Sequence, residues 1–217
     1  MYLKLRTRTK GAIMKTALNI FFVVTLGFVI TMGIGCTKPL KKTGFLSDYS
    51  HLEPDDGSLR YVNMKRLGSY DRFILEPVVV KLYGTPVGAR PAPETSRELA
   101  NYMHNAIVNA IRDRYIIVSQ PGPGIAKIRV ALTDIEKSTP ALNILPQTKI
   151  SGIGIGGASM EAEVIDSRTG EQIGAVIQNQ QGKRISMSGL KKWGDAKAVM
   201  DDWVKRFRKR LDEAHGY

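Results

Sequence analysis

The sequence predicts an α+β domain, a two-layer sandwich whose mixed sheet of about five strands is covered on one face by two helices, in the order β-α-β-β-β-β-α. Three observations carry that reading. Two segments repeat apolar residues at helical spacing, each with a single stripe. Several segments between them alternate with period two. One of the helices separates the first two strands, which a right-handed crossover would leave parallel.

Tyr70 to Tyr83 (YDRFILEPVVVKLY) is rich in β-branched and aromatic residues and reads as the first strand. Pro77 has no N–H to give a ladder, so it belongs at a bulge or an edge. The loop TPVGARPAPE leads into a helix, where Thr95 and Glu98 have the spacing of a capping box. Leu99, Met103, Ala106, Ile107, Ala110 and Ile111 form its stripe, which ends near Arg114. Tyr115–Val118 is a short apolar run of the kind found in buried strands.

The turn Pro121–Gly124 opens into AKIRVALTDIE, where Ile128, Val130 and Leu132 alternate with Lys127, Arg129 and Ala131, giving one buried face. Met160, Ala162 and Val164 alternate with Glu161 and Glu163 in the next strand. DSRTGE then turns the chain, with Gly170 as its positive-φ residue, into a strand that points Ile173, Ala175 and Ile177 inward. The last helix carries Trp193, Ala196, Met200, Trp203, Phe207 and Leu211 on one stripe. Lys205, Arg206, Arg208, Lys209 and Arg210 lie toward its C-terminal end, where cations complement the helix dipole.

Ahead of this domain stands a basic and then apolar leader. Lys4, Arg6, Arg8, Lys10 and Lys15 precede the apolar stretch Ala17–Ile34, the order of a secretory signal. Met14 is a second candidate start, because MKTALNIF reads as a leader by itself. At 1.5 Å per residue the apolar stretch reaches about 27 Å, so a retained inner-membrane anchor is the competing reading. The chain's only cysteine decides between them. Met32-Gly33-Ile34-Gly35-Cys36 resembles a bacterial lipobox, with Gly35 at the small position before the cut and Cys36 as the acylated new N-terminus; Gly33 departs from the usual branched apolar residue. Three acyl chains exceed the two-signal threshold for stable anchoring. Thr37 rather than Asp follows, which by resemblance to enterobacterial sorting implies the outer membrane, on its periplasmic face. The layout is therefore signal peptide 1–35, lipidated N-terminus and tether 36–43, and one periplasm-facing domain 44–217. That domain begins with the turn-rich stretch Gly44–Tyr61, read as an extended arm.

The chain's formal charge is +12, and +7 remains once residues 1–35, with five basic residues and no acid, are set aside. The cations are dispersed and not interleaved with aromatics, which argues against nucleic acid. Gly152, Gly154 and Gly157 match GxGxxG, but a strand rather than a helix follows, so no phosphate site is expected and no cofactor is implied. The long apolar loop around them suggests a contact loop through Leu142, Ile144, Ile153 and Ile155. His51, His104 and His215 show no metal spacing, and Asp134 with Glu136 reads as a solvated strand edge. Nothing in the sequence calls for catalysis.

GFLSDYSHLEP, FILEPVVV, PGPGIAKIRVALTDIE, MEAEVIDSRTGE and WGDAKAVMDDWVKRFRKRLDE occur in that order after the cysteine. In order and spacing they resemble the bacterial lipoproteins grouped as domain of unknown function 3313, from about Cys36 to Glu213. The resemblance implies an envelope lipoprotein with no established enzymatic role; the expected reading is a non-enzymatic binding or structural module held to the membrane by its acyl chains, with an unidentified envelope protein as partner. The alternative is a small-ligand receptor or enzyme that uses the glycine loop 152–157 as a lid.

Overall fold

The alternating segment around Ile128, Val130 and Leu132 becomes the longest strand, and the sheet assembles around it. The computed structural model describes residues 40–83, 85, 87, 90–143, 155–182 and 191–217. Among them the strands are β1 (Glu53–Asp55), β2 (Ser58–Val62), β3 (Arg72–Leu75), β4 (Val79–Val80), β5 (Ile116–Ile117), β6 (Ile125–Glu136), β7 (Gly157–Asp166) and β8 (Gln172–Gln181). The helices are α1 (Met64–Leu67), α2 (Pro93–Ile111), α3 (Pro140–Asn143) and α4 (Gly194–Ala214). One mixed sheet runs β1-β2-β8-β7-β6-β3-β5, with β4 also paired to β6. The β3–β5, β3–β6 and β4–β6 pairs are parallel and the remaining pairs antiparallel.

The expected sheet of about five strands with two helices is thereby corrected to eight strands, with the short helices α1 and α3 added to the two long ones. Each extra strand has a local cause. The arm does not stay extended: Asp56 and Gly57 take φ of 40° and 72°, the two positive values of a type I′ hairpin turn, and fold it into β1 and β2. The first expected strand divides at Pro77. Leu75 lies opposite Ile128 and Val79 opposite Ala131, so one residue bulges out around the proline. Tyr115–Val118 is not a buried strand. Ile116 and Ile117 are 57% and 37% exposed because β5 is the sheet's outer strand, and only Tyr115 enters the core. Helix α2 starts at Pro93 with Ala92 before it and no side-chain cap, in place of the capping box at Thr95. Proline at the first helical position has no N–H that would need a cap.

Both long helices lie on one face of the sheet. Leu99, Met103, Ile107 and Ile111 of α2 join Met200, Trp203 and Leu211 of α4 over Phe73, Ile128, Val130 and Leu132. Arg208 locks the pair. Its guanidinium donates to the Ala110 carbonyl at the end of α2, to Asp113 at 2.5 Å and to Asp212 of its own helix. The cations of α4 thus do not sit in its last turn, which carries Asp212 and Glu213 instead.

The opposite face is also covered, which the alternation did not reveal. Phe45 and Leu46 pack there on Ala131, Ala175 and Ile177, flanked by Leu40, Tyr49, Leu52 and Leu59. Ile173 does not share that face. A register shift between Val164 and Ile165 makes it the extra residue of a bulge and turns it to the helix side, away from Ala175 and Ile177.

Candidate functional site

Two places in the fold gather polar groups against buried surfaces. The first is the seat of the arm. In β7 the alternation that sends Met160 and Val164 to the helices sends Glu161 and Glu163 to the other side, where the arm buries them to 0% and 2% exposure. Burying carboxylates without partners is costly, and both are engaged. Glu161 accepts from the Thr43 backbone N–H at 2.6 Å and from the Tyr49 hydroxyl at 2.5 Å. Glu163 accepts from the Ser47 N–H at 2.9 Å, the Ser47 hydroxyl at 2.7 Å and the Gln172 amide at 2.8 Å, and pairs with Arg129. Burial, and the carboxylate it donates to, push the Tyr49 phenol upward. Arg129 in turn lies over the Phe45 ring at 4.9 Å. The segment Thr43–Tyr49 is thus fixed by carboxylates, a cation and an apolar anchor together.

The second place is a cavity of about 180 Å³ between β2, β7, β8 and α4. Its body is apolar: Ile128, Val130, Met160, Ala162, Val176 and Trp203 line it. Its polar lining is mixed: Arg60, Arg206 and Arg210, the acids Asp55, Asp56 and Glu163, and the neutral Ser58 and Gln178. Asp55 is taken up by Arg60. Arg206 meets a neutral group, the Gln180 amide oxygen at 2.5 Å, and Arg210 is 3.7 Å from Glu213. Burial, then the Arg210 and Arg206 charges, lower Arg60 from its ordinary value. The Trp203 indole N–H is buried and has no hydrogen-bond partner among the described residues.

The residues singled out in sequence fall in several places. Gly35, Cys36, Ile144, Gly152, Ile153 and Gly154 lie outside the described residues. Leu142 is half-buried in α3, and Ile155 is buried at 8% exposure. Gly156 and Gly157 are packing positions: a Cβ on Gly156 would stand 2.6 Å from the Glu136 carbonyl, and one on Gly157 2.6 Å from that of Gln180. The Gly156 N–H and the Ser138 hydroxyl both donate to the buried Asp195 carboxylate, which ties this corner to the start of α4. Ile155, Gly156 and Gly157 do not line the cavity.

Asp134 is not a solvated edge. It is buried and accepts from Thr85, because a register shift between Leu132 and Asp134 rotates it inward. The histidines are scattered. His51 packs on Tyr61 at 5.1 Å, His104 is half-buried in α2, and His215 places its ring nitrogens 2.7 Å from the Leu211 carbonyl and 3.0 Å from that of Tyr70. Among the described residues no group of three or more His, Cys, Asp or Glu is arranged to hold a metal ion, and no helix is long and apolar enough to cross a membrane. Sequence reasoning missed both the paired glutamates and the cavity. The one available signal was Phe45-Leu46, an apolar pair in an otherwise polar stretch beside the tether.

The profile of the family described as "Protein of unknown function (DUF3313)" matches residues 41–207. The Escherichia coli K12 protein named "Uncharacterized lipoprotein YdcL" is 24% identical over 190 residues, covering 76% of this chain and 83% of the relative. Among solved structures, the PelC dodecamer from Paraburkholderia phytofirmans aligns with a TM-score of 0.45 at 11% identity, over 71% of this chain and 95% of that one. Lipoprotein GNA1162 from Neisseria meningitidis aligns with a TM-score of 0.33 at 12% identity, over 65% and 98%.

Proposed function

The chain belongs to the family described as protein of unknown function (DUF3313), and from that premise we propose that it is a bacterial envelope lipoprotein, a non-enzymatic binding module anchored through acylated Cys36. The observation that carries this reading is the arm seat. The lipobox-like Met32–Cys36 ends four residues before Leu40, and from Thr43 onward the chain is bonded to buried glutamates of the sheet. Four residues span at most about 14 Å. A lipid on Cys36 would tether this domain to a membrane through a short stretch of chain. The relative named as a lipoprotein supports the same address. The outer membrane, periplasmic side, is the finer part of the proposal and rests on Thr37. An envelope protein is the partner class that fits.

The test is the intact mass of the protein from a membrane fraction, beside a Cys36→Ala variant. The expected result is a chain that starts at Cys36 and carries acyl chains, with both features lost in the variant. An unprocessed mass with unchanged membrane retention would sink the lipid anchor and make residues 17–34 the anchor. Density-gradient separation of inner and outer membranes checks the address.

A further inference from the structure

We propose that the cavity between β2, β7, β8 and α4 binds a single-chain amphiphile with an anionic head, a fatty carboxylate or an alkyl phosphate, its chain in the apolar body and its head at Arg206 and Arg210. The inference rests on the binding-module reading and names the class of ligand. Three features of the cavity argue for it together.

The first is shape and lining. A cavity of about 150 Å³ lined by aliphatic and aromatic side chains stays dry and takes up benzene, so the 180 Å³ here accommodates roughly six to eight carbons of a chain. The second is charge. Arg206 is exposed and bonded to an amide, and Arg210 stands at the edge of ion-pair distance from its nearest carboxylate, so both guanidiniums retain capacity for an anion. Asp55, Asp56 and Glu163 also line the cavity, but Asp55 is engaged by Arg60 and Glu163 by Arg129 and the arm, so the head is assigned to Arg206 and Arg210. The third is the Trp203 indole N–H, a buried donor without a partner among the described residues, in a residue that lines the cavity. Trp203, Phe207 and Arg210 follow one another down a single stripe of α4, so an apolar-to-cationic gradient runs along one helix face.

The experiment titrates the full chain, held in a non-ionic amphipol, with decanoate, decyl phosphate, decanol and decyltrimethylammonium. Trp203 fluorescence is the readout, and Trp193→Phe removes the chain's other indole. A saturable response to the anionic probes, at least tenfold tighter than to decanol or the cation, is expected. Affinity should rise about fourfold per methylene from hexanoate to octanoate and then flatten as the cavity fills. Ala162→Phe, which fills the cavity from β7, should abolish the response. Arg206→Gln with Arg210→Gln should weaken the anions at least fivefold and leave decanol unchanged.

A response to only one anionic head supports the site and fixes that head. Equal binding of decanol and decyltrimethylammonium would overturn the anionic assignment, and an unchanged response in a folded Ala162→Phe would overturn the site itself. The Arg206/Arg210 pair keeps the proposal testable should Ala162→Phe fail to fold. Binding is expected to persist in Cys36→Ala, so loss of acylation with decanoate still bound would count against the anchor alone.

Discussion

The two faces of the sheet solve the same burial problem with opposite chemistry. On the helix face the interior is largely apolar, with the buried Asp195 at the start of α4, and tyrosine–aspartate pairs stand at its margin: Tyr70 with Asp166, Tyr102 with Asp201 and Tyr115 with Asp212. Each phenol is buried or half-buried and donates outward to a half-buried carboxylate. On the arm face the carboxylates themselves are interior, and the donors come from the segment that covers them. The difference teaches what each cover can tolerate. Two long helices with their own backbone bonding can close over an imperfectly filled core, and a cavity survives there. The arm has no such internal structure over Leu40–Leu52, so its position depends on matching donors to Glu161 and Glu163.

Breaking the arm face should therefore have the largest effect. Glu163→Ala takes from Arg129, about one-quarter exposed, its buried partner, leaving it Glu76 alone, and strands the Ser47 N–H, while the Gln172 amide keeps the Asp48 carbonyl. Removing one member of a buried ion pair costs about 3–5 kcal/mol, and the low end applies here because Arg129 is partly exposed and stays 3.4 Å from Glu76. Urea unfolding should show the loss. Limited proteolysis should show it sooner, as cleavage within residues 40–52 under conditions where the unaltered chain resists. An arm that stays protected in the variant would mean that Phe45 and Leu46 hold it unaided.

A smaller change sharpens the contrast, because one substitution can be made on both faces. Ala131, fully buried, points to the arm side, and Ala162 lines the cavity. Overpacking a filled site costs about 1–3 kcal/mol. Ala131→Phe should lower the unfolding temperature accordingly, whereas Ala162→Phe should leave it unchanged or raise it. Equal losses at both positions would mean that the cavity is closed to an added ring.

Much of the helix face was legible in sequence, for physical reasons. The stripe of α2, the stripe of α4 and the alternation of β6 are local patterns with one dominant period, and each became the expected kind of element. The Gly170 turn was legible too, since φ of 75° there suits few residues other than glycine. The arm face was not. Lys127, Arg129, Glu161 and Glu163 look like the solvated side of two strands, and only contacts across more than a hundred residues make the two glutamates interior. The β1–β2 hairpin was nearer to view, because Asp56-Gly57 is a type I′ pair, but Pro54 and the surrounding acids masked its strands. Bulges at Pro77, Thr133 and Ile173 redirected side chains that strict alternation had assigned, as period-two reasoning must when one residue is inserted. A cavity leaves no periodic trace at all.

The margin of the helix face gives the smallest effect, and one that depends on pH. Asp166 accepts from the Thr169 and Arg168 backbone N–H groups and from the Tyr70 hydroxyl at 2.8 Å. The Thr169 N–H is the largest influence. Together these bonds outweigh the opposing effect of burial and hold the carboxyl at about 2, while burial and the Asp166 bond raise Tyr70 to about 12. A carboxyl depressed in the folded state stabilises the fold above its ordinary value. That contribution fades as pH falls from about 4 toward 2, where the folded-state group also takes up its proton. Asp166→Asn keeps the shape and one acceptor but cannot titrate. Its unfolding midpoint should fall slightly below that of the unaltered chain at pH 7, and the two should converge near pH 2. If the midpoint gap failed to close at low pH, the Tyr70–Asp166 bond would be acting through packing rather than through charge.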